Sequence, residues 1–115
     1  MTSELHRLSL VEAAKGIASG TFTSLELVTA CLKRIHAREE QVGAWAWLDP
    51  EQALAQARAC DRRPATTPMY GIPVGVKDII DTADMPTCYG SQIYNGHYPD
   101  EDAECIRLLR QAGAV

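Results

Sequence analysis

Apolar residues recur along the first part of the chain at helical spacing. Leu10, Ala13, Ala14 and Ile17 stand at i, i+3, i+4 and i+7, one face of a helix. Ser9-Leu10-Val11-Glu12 precedes them as a capping box, and Gly20 supplies a stop, so the pattern predicts a helix over 10–19. Thr23-Ser24-Leu25-Glu26 repeats the capping signature. Val28, Cys31, Leu32 and Ile35 then share a face while Lys33, Arg34, Arg38 and Glu39 fall off it, which predicts a second helix over about 24–39.

The period then changes to two. Val42, Ala44, Ala46 and Leu48 alternate with Gly43, Trp45, Trp47 and Asp49, which predicts a strand over 42–48 with both tryptophans on one face, as packing residues rather than ligand platforms. Asp49 as cap and Pro50 at the first helical position open a third helix running to about Asp61. Residues 62–68, rich in Pro and Thr, read as a loop. Ile72-Pro73-Val74-Gly75-Val76-Lys77 is a short β-branched run that predicts a buried strand starting near a sheet edge. Residues 78–99 have no helical period and read as extended or looping chain. Asp100, Glu101 and Asp102 put acidic groups where a helix N-terminus favours them. Ile106, Leu109 and Ala112 give that last helix its buried face, and Gly113 ends it. Ala114 and Val115 follow as the expected start of a further strand, so the chain looks cut short.

Length and composition suit one soluble unit: 115 residues, 46% hydrophobic and 23% charged. A net charge of −4, without a basic run longer than two residues, argues against nucleic acid or acidic lipid as partners. The absence of an 18-residue apolar run argues against a membrane span, and the start lacks the apolar block of a secretory signal, leaving a cytoplasmic location as the default. Cys31, Cys60, Cys88 and Cys105 are spaced 29, 28 and 17 apart without C-x-x-C, which favours free thiols. His6, His36 and His97 form no zinc motif.

Lys77 is the most unusual residue, because an ammonium at the end of an apolar strand faces desolvation, and burial favours its neutral form. The carboxyl ends of strands are also where ligands collect in open α/β sheets. The plainer reading has Lys77 snorkelling out to pair with Asp78 or Asp81. Gly71 and Gly75 do not make a phosphate loop, since Val76 and Asp78 flank the lysine where Gly and a hydroxyl are needed. Asp78, Asp81 and Asp84 read as turn carboxylates rather than a cation site. Among the serines only Ser91 sits in loop context beyond the strand, and none forms a G-x-S-x-G elbow.

Gly71-Ile72-Pro73-Val74-Gly75-Val76-Lys77-Asp78 closely resembles the lysine motif of the amidase signature family. T-S-L-E-L-V-T-A-C-L-K-R-I from Thr23, A-L-A-Q-A-R-A-C-D from Ala53, residues 87–91 and D-A-E-C-I-R-L-L-R-Q-A-G-A from Asp102 resemble the N-terminal part of those enzymes, in the same order. Thr67 and Tyr70 depart from it, standing where the family often has Gly and His. The resemblance implies an α/β fold: N-terminal helices plus the first strands of a large mixed sheet, here one incomplete domain over residues 1–115. It implies cleavage of a carboxylic amide by a Ser, cis-Ser, Lys triad without metal or cofactor, acting on a small-molecule amide, with room for a homo-oligomer.

Only the lysine carries over, to Lys77; the segment holding both serines and the oxyanion donors corresponds to sequence beyond Val115. The 115 residues alone are therefore expected to be inactive and loosely folded. Two alternatives stay open: a noncatalytic remnant or interaction module, and the transamidating subunit of an aminoacyl-tRNA amidotransferase. Asp78-Ile79-Ile80-Asp81 looks more like the general amidases.

Overall fold

The computed structural model of the chain describes residues 2–115. A 3-10 turn over Thr2–Arg7 leads into α1 (Leu10–Ser19), α2 (Ser24–Val42) and α3 (Pro50–Asp61). A long irregular stretch follows, interrupted by a 3-10 turn at Gln92–Tyr94, before α4 (Glu104–Gln111). Each of the first three helices begins at the cap expected of it. Ser9 accepts from the Glu12 N–H while Glu12 reaches back to the Ser9 N–H, Thr23 accepts from the Glu26 N–H, and Asp49 accepts from the N–H groups of Glu51 and Gln52.

Gly20 and Gly43 close α1 and α2 in the left-handed conformation that only glycine adopts without penalty. At the first of these turns the chain doubles back and lays the Phe22 ring over Gly16, where a Cβ would stand 2.1 Å from a ring carbon. Gly16 thus belongs to the buried face of α1, whereas Leu10, expected there, is exposed.

The core forms where α2 passes between the N-terminal turn and α3. Leu5, Ala13, Phe22, Leu27, Ala30 and Ile72 make one buried cluster. Val28 and Ala57 are also buried, on α2 and α3. α2 is therefore apolar over a wider arc than the predicted stripe. Leu27 and Ala30 join the cluster, while Leu32 and Ile35 are half-buried and line a groove shared with α3 and residues 73–76.

The first strands expected of an α/β fold are not formed among the described residues. Over 42–48, Val42 completes α2 and Gly43 turns the chain. The carboxylate of Glu39 then accepts from the N–H groups of Ala44 and Trp45 at 2.9 and 2.7 Å, so a side chain occupies donors that a ladder would use. Residues 72–77 meet a partner only at their beginning. Gly71 N–H donates to the Gly113 carbonyl, Val115 N–H to Ile72, and Val74 N–H to Val115. The last two bonds straddle Pro73 in the manner of a parallel ladder, whose slanted bonds run from one residue to both neighbours of its opposite number. Pro73 itself has no N–H to offer. α4 starts later than expected, because Asp102 is engaged elsewhere: it accepts from the Ala83 N–H and from Arg110.

Candidate active site around Lys77

Two long-range contacts set the start of the 72–77 segment. Ser24, fully buried at the first turn of α2, donates its hydroxyl proton to the Gly71 carbonyl at 2.7 Å. The Ser24 and Leu25 N–H groups donate to the two carboxylate oxygens of Asp61 at 2.8 and 2.9 Å. Thr23 and Asp61 together thus satisfy donors that every helix N-terminus leaves open. Gly71 needs to be glycine on two counts: its φ is +77°, and a Cβ would approach the Ser24 Cβ to 2.9 Å.

Lys77 ends this segment exposed, on the wall of a cavity of about 420 Å³ whose other walls include Trp45, Trp47, Met85 and Thr87. The burial expected of it does not come from these residues. Neither carboxylate proposed as its partner pairs with it, and among the described residues it makes no ion pair. The Asp78 carboxylate accepts from the Cys88 N–H at 2.8 Å, and Asp81 accepts from the Tyr89 hydroxyl. Asp84 takes the Gln52 amide at 3.1 Å and Arg110 at 2.9 Å. The three aspartates of the 78–84 stretch therefore diverge, each holding a different neighbour.

The loop facing Lys77 is held by buried hydroxyls and turns. Thr82 and Thr87 are both buried; the Thr82 N–H donates to the Thr87 hydroxyl at 3.3 Å, and their oxygens lie 3.2 Å apart. Tyr89, at φ +54°, and Gly90, at +72°, reverse the chain. Ser91 then caps the 3-10 turn at Gln92–Tyr94 by accepting from Ile93. Its hydroxyl has a structural task.

Tyr89, Tyr94 and His97 pack edge-on or tilted against one another, with centroids 5.1 to 6.1 Å apart. The hydrogen bond to Asp81 pushes the Tyr89 phenol up to about 12; desolvation and the nearby charges add to it. Burial raises the thiols of Cys31 and Cys60, with the Asp61 charge adding to the second. Thr82, Thr87 and Asp61 escaped the sequence reading, since nothing in their local pattern announces partners across a loop.

Among the described residues no helix is long and apolar enough to cross a membrane. The sequence model of the Amidase family matches residues 26–115, a span that takes in Lys77 and every group around it. A glutamyl-tRNA(Gln) amidotransferase subunit of Chloroflexus aggregans is 45% identical over 98% of this chain, which spans 24% of that protein. Native peptide amidase from Stenotrophomonas maltophilia superposes on 98% of this chain with a TM-score of 0.89 and 32% identity, again over 24% of its length. An amidase family protein from Bacillus anthracis gives 0.87 and 30%, over 98% of this chain and 24% of its own. The chain thus spans about a quarter of the length of the proteins it matches, and it belongs to the amidase family.

Proposed function

We propose that these residues are the lysine-bearing N-terminal part of one amidase-signature domain that cleaves carboxylic amides, with Lys77 as its general base. The observation that carries this reading is the setting of Lys77: at the end of the Gly71-to-Asp78 motif, on a cavity wall, with no carboxylate among the described residues tied to it. A base has to offer a lone pair. In this chemistry neutral Nζ takes the proton that leaves the nucleophilic serine through the bridging serine. The serine oxygen adds to the amide carbonyl, the C–N bond breaks as the amine leaves with a proton, and water releases the acid.

A cover over Lys77 is part of the proposal. The chain exposes 7695 Å², against about 6,200 Å² for a self-contained monomer of its mass. The α/β sheet of the whole enzyme would be the cover, continuing from the paired residues at 72–74 and 115.

In the full-length protein, Lys77→Ala is expected to lower kcat by about 10³-fold or more, in line with the loss of one member of a catalytic unit. Lys77→Arg should be no better, since a guanidinium stays charged and accepts no proton. Steady-state hydrolysis of a simple amide measures both. An active Arg variant would make Lys77 an electrostatic residue and end the base assignment.

A second reading rests on the identities themselves: several glutamyl-tRNA(Gln) amidotransferase subunits reach 40 to 45%, while several amidases reach 30 to 34%. In it, the same cleavage hands the amide nitrogen to glutamyl-tRNA. Formation of glutaminyl-tRNA by the full-length protein with its companion subunits, together with weak hydrolysis of simple amides, would select it.

A further inference from the structure

We infer that Asp78 is a positioning residue for Lys77, acting as a hydrogen-bond acceptor for backbone rather than as a countercharge; the inference rests on Lys77 being the base. Three bonds fix the chain just past the lysine. The Lys77 carbonyl accepts from the Ile80 N–H at 3.1 Å, closing a tight turn. The Asp78 carbonyl accepts from the Tyr89 N–H at 2.9 Å, and the Asp78 carboxylate from the Cys88 N–H at 2.8 Å. Both acceptors of one residue thus hold two consecutive donors of the facing loop. That loop is itself anchored, since the Thr87 N–H donates to the His97 carbonyl.

The arrangement has two effects on the lysine. It fixes the backbone from which a long, flexible side chain must aim its nitrogen, and a misplacement of about 1 Å at such a point can cost on the order of 100-fold in rate. It also directs the carboxylate that follows Lys77 in the chain toward a peptide N–H, and among the described residues Lys77 forms no ion pair.

Asn and Glu separate geometry from charge. Asp78→Asn keeps an acceptor oxygen at the same reach and removes the charge; Asp78→Glu keeps the charge and moves the oxygen out by one methylene. Kinetics of the full-length protein with a simple amide should show D78N within about threefold of the parent in kcat. D78E should fall on the order of 100-fold in kcat with KM nearly unchanged, because what the longer side chain displaces is the backbone that aims Lys77. Loss of more than tenfold in D78N, or a D78E variant at the parent's rate, would overturn the inference whatever the melting temperatures. Lys77→Ala run alongside keeps the two readings apart. If it stays active, the base assignment falls. If it is inactive while D78N and D78E behave alike, only the role of Asp78 falls.

Discussion

Residues 5–57 and residues 72–115 are held together by different means. The first region contains Leu5, Ala13, Phe22, Leu27, Val28, Ala30 and Ala57, all buried, and its helices α1, α2 and α3 are closed by caps. The second buries Ile72 and Ile106 but exposes Ile79, Tyr89, Ile93, Tyr94, Tyr98 and Leu108. Its order comes from polar side chains bonded to loop backbone: Asp78 to Cys88, Asp102 to Ala83, and Thr82 with Thr87. The hydrophobic effect needs area to act on, whereas a charge-assisted bond to an N–H acts at a point. The candidate site therefore lies in the half whose geometry is specified before its apolar surface is covered.

The contrast is broken most directly by truncating one leucine from each half. Leu27→Ala should cost about 2–5 kcal/mol, the usual loss for a buried leucine, whereas Leu108→Ala, half exposed on α4, should stay within about 0.5 kcal/mol. Urea unfolding of the 115-residue chain, followed by far-UV circular dichroism, compares them. Equal losses would mean that the second half has a core of its own.

A smaller effect probes the polar stitching. Asp102→Ala removes the acceptor of the Ala83 N–H and one partner of Arg110, whose other carboxylate, Asp84, remains. About 1 kcal/mol is expected, or roughly a fivefold faster amide exchange at Ala83, with exchange in α1 and α2 unchanged. Acceleration spreading into those helices would show that the two halves melt as one.

The last probe is read by titration rather than by unfolding. Tyr89 should ionise at about 12, and Asp81→Asn should bring it back toward about 10. Its raised value means that the bond to Asp81 favours the protonated phenol. The contribution is whole below the unfolded value of about 10 and is lost as pH rises through 12. Phenolate absorbance during alkaline titration follows it. A signal that Asp81→Asn leaves unmoved would place the Tyr89 hydroxyl in open solvent.

The sequence was most legible where cause and effect lie within one helical turn. Ser9 with Glu12, Thr23 with Glu26, and Asp49 with Gln52 act over three residues, and all three helices start as read. Leu27 and Ala30 were missed because α2 has neighbours on two sides, and a single-face pattern describes only one. The expected strands failed for a related reason. Alternation at 42–48 records a tendency, but a strand exists only with a partner, and Glu39 reached those donors first. At the site, the plainer reading of the local pattern, Lys77 snorkelling outward, agrees with its exposure, whereas the burial that would favour its neutral form depends on what lies over it. Asp78 and Asp81 were read as partners of the lysine. Their actual partners, Cys88 and Tyr89, sit ten and eight residues away across a loop without periodicity.

The capping of α2 by Asp61 also bears on the timing of biosynthesis. Ser24 and Leu25 present their N–H groups to a carboxylate encoded 37 and 36 residues later. At the usual pace of about 5–20 residues per second, a ribosome takes roughly two to seven seconds to deliver it. During that interval, of the two side chains that accept from the first turn of α2, Thr23 alone has been made. Once α3 arrives, Asp61 closes the turn, and Tyr70, whose hydroxyl returns to the Cys60 carbonyl ten residues back, brings Gly71 within reach of Ser24. The segment leading to Lys77 is thereby tied to both helices, to α2 through Ser24 and to the end of α3 through Tyr70.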